Sequence, residues 1–531
     1  MSGAAPECAA GVAILIALLP FLVMGVQIMA HAGQPMQLSG SFALTELATQ
    51  EAAVGRRLTG PWGRFGWNHP GPALFYALAP IYRLSNSSPL GLYLGAVVLN
   101  GLFIGAAVLA GARLAGAVGA YATASVVLTI TLSLSPSTLA HFWNPYVLTI
   151  PLFLFGMLCA LIAIEGGGWV VWALIVGTFA VQSHVGGGPL VVGLPVFAVL
   201  YRGFTHGRQT PRPAAKSTAL TRSMWHVGWV LLVLLWAPVA IEQLMYGERG
   251  NIAELMDFFS GEHHGHSLLG ATYAFIFGAT VLPLGASSAT DLPPGLTFDR
   301  LLVLLFSAYA VSVSVRKHSQ PHEGSRVLAL LAVVGSSICV VALTRVQGPH
   351  YGYLVYWMAA ILAYVWLAVL STTFQTLQLP RWRAIVGDAG SRLPSLVACV
   401  LALMATVSAL NDRAVSRDHD PDVQELLATL LSSAEEHGGE GPVVVDAASY
   451  GNGEWEHAAG LVVELTALGY EVAVSDRWVE RYSPAFQHTG TPTMTLLVGH
   501  VGVEPLEERV AGSRFVGRSA EATLWIKYED T

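Results

Sequence analysis

Two carboxylates lie in a polar stretch that directly follows the first hydrophobic segment of the chain. Glu46 and Glu51 belong to the run TELATQEAAVGRRL, whose pattern predicts an amphipathic helix. A carboxylate at a membrane surface can act as a general base when an acceptor hydroxyl lies against it. Glu46, between apolar neighbours, is the leading candidate, and Glu51 is the second. The alternative for Glu51 is a solvated helix face with Arg56 nearby.

A second set of residues is cationic or aromatic and suits a lipid phosphate. The runs RFGWNHPGP at 64–72 and RVQGPHYGY at 345–353 each combine a basic residue with Gly and Pro, which favour turns. Arginine binds phosphate oxygens strongly, and cationic turns at a membrane surface attract anionic headgroups. For the second run, interfacial anchoring is the alternative. We predict that the donor phosphate is bound by Arg64, His69, Arg345, His350 and Tyr351.

A third set of side chains suits the hydroxyl groups of a sugar or an acceptor. Amides and imidazoles offer hydrogen bonds, and an indole offers an apolar face. Two alternatives stay open, because an Asn before Pro145 can cap a helix and the polar residues before Gly186 can close a turn. We predict sugar or acceptor binding by Trp67, Asn68, Asn144, Gln182 and His184.

Neither a metal nor a disulfide is expected. The run HHGH at 263–266 lacks the ligand spacing of a metal site on an ordered element. The four cysteines lie in or beside apolar segments without motif spacing. We therefore predict no cofactor, with a divalent ion as the disfavoured alternative.

The elements that position these residues are membrane helices. The 531 residues are 53% hydrophobic and 11% charged, whereas soluble domains carry about 25% charged residues. Such a composition indicates a polytopic α-helical membrane protein. The net charge of −7 gives no indication of a nucleic-acid partner, and we expect none.

We predict eleven transmembrane helices. They lie at about 9–30, 90–112, 117–134, 146–164, 169–183, 189–204, 227–244, 300–315, 327–343, 351–370 and 394–410. The apolar stretches at 70–84 and 268–285 are assigned to the interface. With an inside N-terminus, this count places the Lys/Arg-rich loops in the cytoplasm, as the positive-inside rule requires. All the polar groups described above then fall on the outer side.

The composition changes after residue 411. We assign residues 1–411 to a membrane domain whose first outer loop spans about 31–88, and residues 412–531 to a small extracytoplasmic α/β domain. Its predicted helices are at 423–436 and 455–468. Its predicted strands are at 442–446, 471–475, 494–498 and 522–527.

The arrangement resembles the GT-C superfamily of integral membrane glycosyltransferases, in particular the branch with protein O-mannosyltransferases and aminoarabinose transferases. NHPGPALFY at 68–76 is similar to the basic-residue-plus-proline motif that precedes an apolar interfacial helix in that branch. HYGY at 350–353 is similar to its basic, tyrosine-containing turn. The run GRFGWNHPGPALFYALAP also resembles a group of uncharacterised actinobacterial members. The resemblance covers roughly the first 400 residues.

Two departures from the family pattern concern its acids. Members usually place an aspartate just after a glycine at the start of the first loop, where Ser41 follows Gly40 here. Asn144-Pro145 stands where the second loop usually has an acid-proline pair. Glu46 is the leading base by default, and a DxD-like pair is absent from both loops, which favours a metal-independent mechanism.

The resemblance implies an inverting transferase that uses a polyprenyl-phosphate sugar on the outer face of the cytoplasmic membrane. The acceptor is a glycan, lipid or protein of the cell envelope, and membrane lipids are further partners. Two alternatives stay open: a transporter or flippase of a lipid-linked or polar solute, and a catalytically impaired GT-C scaffold.

Overall fold

A computed structural model describes the chain over most of its length. The described residues are 4–206, 219–261, 265–286, 292–293, 295–316, 323–380, 389–412, 418–435, 442–449, 454–488 and 492–528. The predicted histidine cluster at 263–266 lies partly outside them, since His263 and His264 are not described.

The protein is a multi-pass membrane protein. In the described residues, nine helices are long and apolar enough to cross a bilayer: Glu7–Ala30, Leu90–Leu134, Tyr146–Glu165, Val185–Thr205, Trp225–Arg249, Phe298–Arg316, Glu323–Leu343, Gly352–Leu377 and Ala389–Asn411. Three shorter apolar helices are Ala73–Leu84, Gly167–Ser183 and Leu268–Ala279. The predicted total of eleven spans therefore stays a prediction.

The helical part contains seventeen described α-helices, labelled in chain order. They are α1 (Ala4–Ala30), α2 (Gly40–Ala53), α3 (Ala73–Leu84), α4 (Leu90–Leu134), α5 (Pro136–Ala140), α6 (Thr149–Glu165), α7 (Val170–Ser183), α8 (Gly188–His206), α9 (Ala219–Tyr246), α10 (Asn251–Ser260), α11 (Leu268–Ala279), α12 (Val281–Leu284), α13 (Phe298–Arg316), α14 (Glu323–Leu343), α15 (Gly352–Val355), α16 (Ala359–Leu377) and α17 (Ala389–Asn411).

Helix α4 is a hairpin of two arms. Ala115 and Gly116 have non-helical backbone angles, with φ +63° at Gly116. A Cβ on Gly111 would lie only 2.7 Å from the carbonyl oxygen of Gly119. Eight residues of continuous helix would separate these positions by about 12 Å, so the chain must reverse between them. The two arms match the two spans predicted at about 90–112 and 117–134.

The apolar core of the helical part is built around α6, whose side chains are almost all buried. The phenol of Tyr364 on α16 donates to the carbonyl oxygen of Leu152 on α6 at 2.6 Å. The Tyr364 ring lies against Gly156, where a larger residue would overlap it. A small residue at this position therefore lets the two helices approach closely, as is common in membrane helix packing.

The C-terminal part is a small sheet with helices. Its helices are α18 (Pro421–Glu435), α19 (Glu454–Ala467), α20 (Val479–Tyr482) and α21 (Glu507–Val510), and its strands are β1 (Val443–Ala447), β2 (Val472–Val474), β3 (Met494–His500), β4 (Arg514–Arg518) and β5 (Ala522–Tyr528). The strand order is β2-β1-β3-β5-β4. β1 pairs in parallel with β2 and β3, and β5 pairs antiparallel with β3 and β4.

The predicted strands and helices of this part are confirmed. The sequence did not predict the strand β4 or the short helices α20 and α21. The β4 residues RFVGR carry two arginines and are half-buried or exposed, so they lack the apolar alternation that marks a strand.

The C-terminal sheet domain packs on the first loop. A Cβ on Gly460 of α19 would lie 2.5 Å from the carbonyl oxygen of Leu38, so the helix and the loop backbone are in close contact. Arg57 of the loop donates to the carbonyl oxygen of Tyr482 at 2.9 Å. The first loop is therefore held between the membrane helices and the sheet domain.

Candidate active site

A cavity of about 470 Å³ lies beside the first loop. Its walls come from the start of α2, the loop between α2 and α3, the turns before α6 and α8, α10, and the segment around α15. The residues that line it are Ser41, Trp62, Gly63, Arg64, Phe65, Trp67, His69, Trp143, Asn144, Pro145, His184, Val185, Gly186, Gly188, Pro189, Phe258, Phe259, Ala342, Leu343, Arg345, Val346, Gln347, His350, Tyr353, Leu354, Trp357 and Met358.

A short backbone hairpin brings His69 to the cavity. Trp62 and Asn68 form an antiparallel bridge, and Gly63 donates its N–H to the carbonyl oxygen of Trp67 at 2.7 Å. Gly60 donates to the carbonyl oxygen of His69 at 3.1 Å. A Cβ on Gly60 would lie 2.6 Å from that same oxygen, so this position requires glycine.

His69 and His184 form a buried pair, with ring centroids 4.7 Å apart. The Nδ1 atom of His69 accepts from the backbone N–H of Val185 at 3.2 Å. The Nδ1 atom of His184 accepts from the N–H of Gly186 at 3.1 Å. Each neutral ring therefore carries its proton on Nε2, because a neutral imidazole has one donor and one acceptor nitrogen.

The two histidines are neutral donors rather than cations. Burial, together with the neighbouring imidazole of His184, holds the pKa of His69 well below its usual range. Burial lowers the pKa of His184 to about 4. At neutral pH both side chains offer an Nε2–H group to an oxygen acceptor.

Two arginines provide the permanent positive charge of the cavity. The Arg64 guanidinium donates to the carbonyl oxygen of Gln347 at 2.7 Å and lies 5.1 Å from the centroid of the Tyr351 ring. Arg345 is exposed, and among the described residues its side chain has no hydrogen bond or ion pair. An anion entering the cavity therefore meets one fixed and one unpaired guanidinium.

His350 is held near these arginines by its own contacts. Its Nε2 atom lies 3.2 Å from the carbonyl oxygen of Leu343, and its ring lies against His266 with centroids 3.7 Å apart. Burial, then His266 and Arg64, lower the pKa of His350. Tyr351 does not line the cavity but stacks on Tyr353, which does, with centroids 5.6 Å apart.

The predicted sugar-binding residues divide into two groups. Trp67, Asn144 and His184 line the cavity. The described helices that follow Pro145 have no side-chain cap, and the Nδ2 of Asn144 donates to the carbonyl oxygen of Ser183 at 3.1 Å. Asn68 and Gln182 are not in the wall.

Gln182 has a structural role in this arrangement. Its Oε1 accepts from the N–H of Ala73 at 3.2 Å, and its Nε2 donates to the carbonyl oxygen of Leu235 at 2.8 Å. The fully buried side chain thus joins α7 to α3 and α9. The backbone N–H of Asn68 donates to the Oδ1 of Asn251 at 2.8 Å, and the side-chain Oδ1 of Asn68 has no hydrogen-bond partner among the described residues.

Glu46 lies away from the cavity, between α2 and α3. Its Oε1 accepts from the hydroxyl of Tyr82 at 2.9 Å, and its Oε2 has no partner in the described residues. Burial, opposed by the Tyr82 hydrogen bond and assisted by Glu464, raises the pKa of Glu46 to about 8. The structure therefore does not bring Glu46 to the position that a general base facing this cavity would need.

Glu51 also lies outside the cavity wall. Its Oε2 pairs with Arg57 at 3.0 Å, and its Oε1 accepts from the hydroxyl of Ser483 at 2.8 Å. Both partners of the ion pair are buried. The alternative for Glu51, a solvated helix face with Arg56 nearby, is therefore wrong. Glu51 pairs with Arg57 instead, and the sheet domain covers this pair.

No carboxylate is among the described residues that line the cavity. Ser41 and Asn144, which stand where the GT-C resemblance expects acids, both line it. The two positions at which the sequence departs from the GT-C pattern therefore lie in the same wall.

Several wall residues were not predicted. Phe258, Phe259, Trp143, Tyr353 and Trp357 supply an aromatic lining, and Trp67 lies against Phe258 with centroids 5.4 Å apart. Aromatic residues beside predicted spans are common as interfacial anchors, so their type alone did not separate them from the rest. For Trp143, Tyr353 and Trp357, the available signal was their position in or next to the runs HFWNP at 141–145 and HYGY at 350–353, whereas Phe258 and Phe259 had no such signal.

No protein-family model matches the sequence, and no curated protein sequence matches it significantly. Solved structures share its fold. ArnT from Cupriavidus metallidurans bound to undecaprenyl phosphate superposes with a TM-score of 0.55 at 12% identity, over 99% of this chain and 98% of ArnT. Apo ArnT from the same organism gives a TM-score of 0.56 at 13% identity, over 98% of each chain.

A third solved structure is more distant. Archaeal oligosaccharyltransferase AglB from Archaeoglobus fulgidus, in complex with an inhibitory peptide and a dolichol-phosphate, gives a TM-score of 0.42 at 12% identity, over 94% of this chain and 69% of AglB. The likeness to ArnT confirms the predicted resemblance at the level of the fold: a GT-C-like helical membrane protein with a small C-terminal sheet domain.

Proposed function

We propose that the protein is a membrane glycosyltransferase that transfers a sugar from a polyprenyl-phosphate donor to a cell-envelope acceptor. The observation that carries the proposal is the cavity itself. It combines two arginines, two neutral Nε2–H donors and an aromatic lining, in a fold shared with a protein that binds undecaprenyl phosphate. The positive-inside rule supports the outer face of the cytoplasmic membrane, with the sheet domain outside.

In this proposal the basic residues bind the donor phosphate. Arg64 and Arg345 hold its oxygens, and the Nε2–H groups of His69 and His184 donate to it or to the sugar. As the bond between the anomeric carbon and the phosphate oxygen breaks, negative charge grows on the leaving phosphate. Donors that are already in place stabilise that charge without rearranging. An acceptor hydroxyl attacks the anomeric carbon from the opposite face and forms the new glycosidic bond with inversion, and its proton passes through water to the released phosphate. No cofactor takes part.

Other side chains of the wall support binding of a sugar. The indole N–H groups of Trp67 and Trp357 are buried and have no hydrogen-bond partner among the described residues. The same is true of the side-chain amide nitrogen of Gln347. Unpaired buried donors are uncommon and suit a ligand rich in oxygen. Asn144 and Ser41 lie in the same wall as neutral hydrogen-bonding residues.

A second candidate function follows from the missing acid. Ser41 and Asn144 lie in the wall, and Glu46 and Glu51 lie outside it. The described part of the wall therefore offers cations for a donor but no carboxylate for deprotonating an acceptor. This arrangement favours a catalytically impaired GT-C scaffold that binds the lipid-linked donor. It favours a transporter less, because its basic residues surround one cavity rather than a path across the helices.

The first test measures binding of undecaprenyl phosphate to the purified protein in detergent by native mass spectrometry. We expect Arg345→Gln to weaken binding roughly 10- to 100-fold, the size of a lost charge-assisted hydrogen bond. Arg518→Gln, an exposed arginine on β4, is the matched control and should bind like the wild type. Equal affinity of all three proteins would remove the cavity as the donor site.

The second test measures transfer of radiolabelled sugar from polyprenyl-phosphate donors, with membrane extracts as the source of acceptors. Transfer by the wild type that is lost in Arg345→Gln supports the enzyme. Donor binding without transfer or donor hydrolysis supports the impaired scaffold. Protein-dependent movement of the intact lipid-linked sugar across a vesicle membrane would favour the flippase and overturn both.

A further inference from the structure

Three side chains of types that can bind metal ions lie close together where the sheet domain joins the first loop. Asp420 and Asp422 lie at the start of α18, and His457 lies on α19. One carboxylate oxygen of each aspartate and one ring nitrogen of His457 lie within 4.8 Å of one another. Asp422 is 9% exposed and His457 is 5% exposed. The cluster is separate from the cavity, whose wall contains none of its members.

The two carboxylates lack a permanent cation. Among the described residues, the ion-pair partner of Asp420 is His457, and no Lys or Arg pairs with either aspartate. Two partly buried carboxylates side by side repel each other and are costly to desolvate. A charged imidazole leaves one negative charge uncompensated, whereas a divalent cation neutralises both carboxylates.

The imidazole of His457 also lacks hydrogen bonds. Its Nδ1 has no partner in the described part of the chain. Its Nε2 faces the Oδ2 of Asp420 at 3.8 Å, which is too long for a hydrogen bond. A buried imidazole that points toward two carboxylates without bonding to them suits a ligand that draws all three together.

The backbone leaves the required oxygens available. The Oδ1 of Asp420 accepts from the N–H of Asp422 at 2.9 Å and so caps α18, while Oδ2 faces His457. The Oδ1 of Asp422 accepts from the N–H of Glu521 at 3.1 Å, next to the start of β5. Asp420 therefore uses Oδ1 for the fold and has Oδ2 for a ligand. The Asp422 carboxylate also accepts from Ser519 and from the N–H of Ala520, and a carboxylate with about four lone-pair sites still has room for a ligand.

We propose that Asp420, Asp422 and His457 bind a divalent transition-metal cation of the zinc or manganese type. Two oxygens and one imidazole nitrogen suit these ions, whereas calcium and magnesium favour oxygen ligands alone. The ion joins α18, α19 and the start of β5. Asp420 also donates its N–H to the carbonyl oxygen of Gln37 at 2.8 Å, so the ion fastens the sheet domain to the first loop. Its role is structural and does not depend on the proposed function.

The test measures metal content and thermal stability of the full-length protein in detergent. After incubation with Zn²⁺ or Mn²⁺ and removal of free ion, we expect about one equivalent in the wild type. Asp420→Asn keeps the Oδ1 that caps α18, so it should fold and lose the ion, as should His457→Gln. EDTA should lower the unfolding temperature of the wild type, and added ion should restore it, whereas both variants should not respond.

Two control variants lie close by. Glu425→Gln removes an exposed carboxylate from α18, and His500→Gln removes an imidazole whose ring lies 6.5 Å from that of His457. Both should retain the ion. In the wild type, pulsed electron paramagnetic resonance of bound Mn²⁺ should show coupling to an imidazole nitrogen, a readout that does not depend on the folding of any variant.

Two results would overturn the proposal. One is a wild type that retains neither ion and whose unfolding temperature does not respond to EDTA. The other is equal metal content in the wild type, Asp420→Asn and His457→Gln, which would place the ion elsewhere.

Discussion

At the scale of single residues, two histidines of the cavity are neutral hydrogen-bond donors, whereas the sequence suggested cationic groups. His69 and His184 are fixed as Nε2–H donors by two backbone N–H groups, Val185 and Gly186. This tautomer cannot be deduced from a histidine in a sequence, because it depends on which backbone group lies against the ring. It also means that neither side chain accepts a proton readily at neutral pH.

The neutral histidines make the stability of the protein depend on pH. The pKa of His184 is about 4 in the folded chain and about 6.5 when exposed. The unfolded chain therefore takes up the proton first, and this contribution to stability is complete above about pH 6.5 and is lost as the pH falls to about 4. We expect His184→Gln to flatten that part of the pH profile of the unfolding temperature. An unchanged slope in the variant would contradict the assignment.

Glu46 gives the opposite dependence. Its pKa of about 8 means that the folded chain holds the proton more tightly than the unfolded one, whose value is 4.5. Its contribution is therefore complete below about pH 4.5 and decreases as the pH rises to about 8, by roughly 1.4 kcal/mol per pH unit. Because glutamine cannot ionise and can still accept from Tyr82, Glu46→Gln should unfold at a higher temperature than the wild type at pH 8.

The same variant tests the role of Glu46 in the reaction. If its buried position is the functional one, Glu46→Gln should retain sugar transfer at pH 7. A loss of transfer with unchanged binding of undecaprenyl phosphate would instead restore Glu46 as the general base. The stability measurement at pH 8 and near pH 5 serves as its internal control, because the two proteins should converge at the lower pH.

At the scale of elements, the hairpin between α2 and α3 determines where His69 and Trp67 lie. Gly60 is in contact with the carbonyl oxygens of His69 and Gly71, each 2.6 Å from where a Cβ would be. We expect Gly60→Ala to displace this hairpin and to weaken binding of undecaprenyl phosphate at least tenfold. Gly105→Ala on α4, where a Cβ would meet nothing within 4 Å, should bind like the wild type.

Much of the element structure could be predicted from the sequence. Long apolar runs revealed the membrane helices, and short apolar runs between the helices of the C-terminal part revealed four of its five described strands. The residues of the wall were predictable where a run combined a basic residue with Gly or Pro, as in Arg64, His69, Arg345 and His350. Glu46 and Gln182 were predicted to face the site, but neither lines the cavity. Both lie on helices, and tertiary packing decides which side of a helix faces the cavity.

At the scale of the whole molecule, the buried pair of Glu51 and Arg57 joins the two parts of the chain. Arg57 also donates to the carbonyl oxygens of Tyr482 at 2.9 Å and Gly60 at 3.1 Å. Its side chain is 5% exposed. The pair therefore connects the sheet domain to the same hairpin that carries His69.

Removing one charge of this pair should loosen the sheet domain. Arg57→Gln leaves the Glu51 carboxylate buried without its partner, a change that typically costs about 3–5 kcal/mol. We expect a lower unfolding temperature and faster cleavage by protease between the two parts, measured by the release of a C-terminal fragment. Arg56→Gln, the exposed neighbour, is the matched control and should resemble the wild type. Equal cleavage of both variants would show that the pair does not hold the domain.

The contact between Arg57 and Tyr482 joins residues that are 425 positions apart in the chain. During synthesis the first loop emerges well before the segment around Tyr482, which covers it. Until then, the Glu51–Arg57 pair faces water and the hairpin lacks one of its supports. The hairpin beside the cavity therefore has its full set of contacts only after the segment that contains Tyr482 has been synthesised and has folded. A nascent chain that is interrupted just before Tyr482 contains every described residue of the wall but lacks the contact between Tyr482 and Arg57.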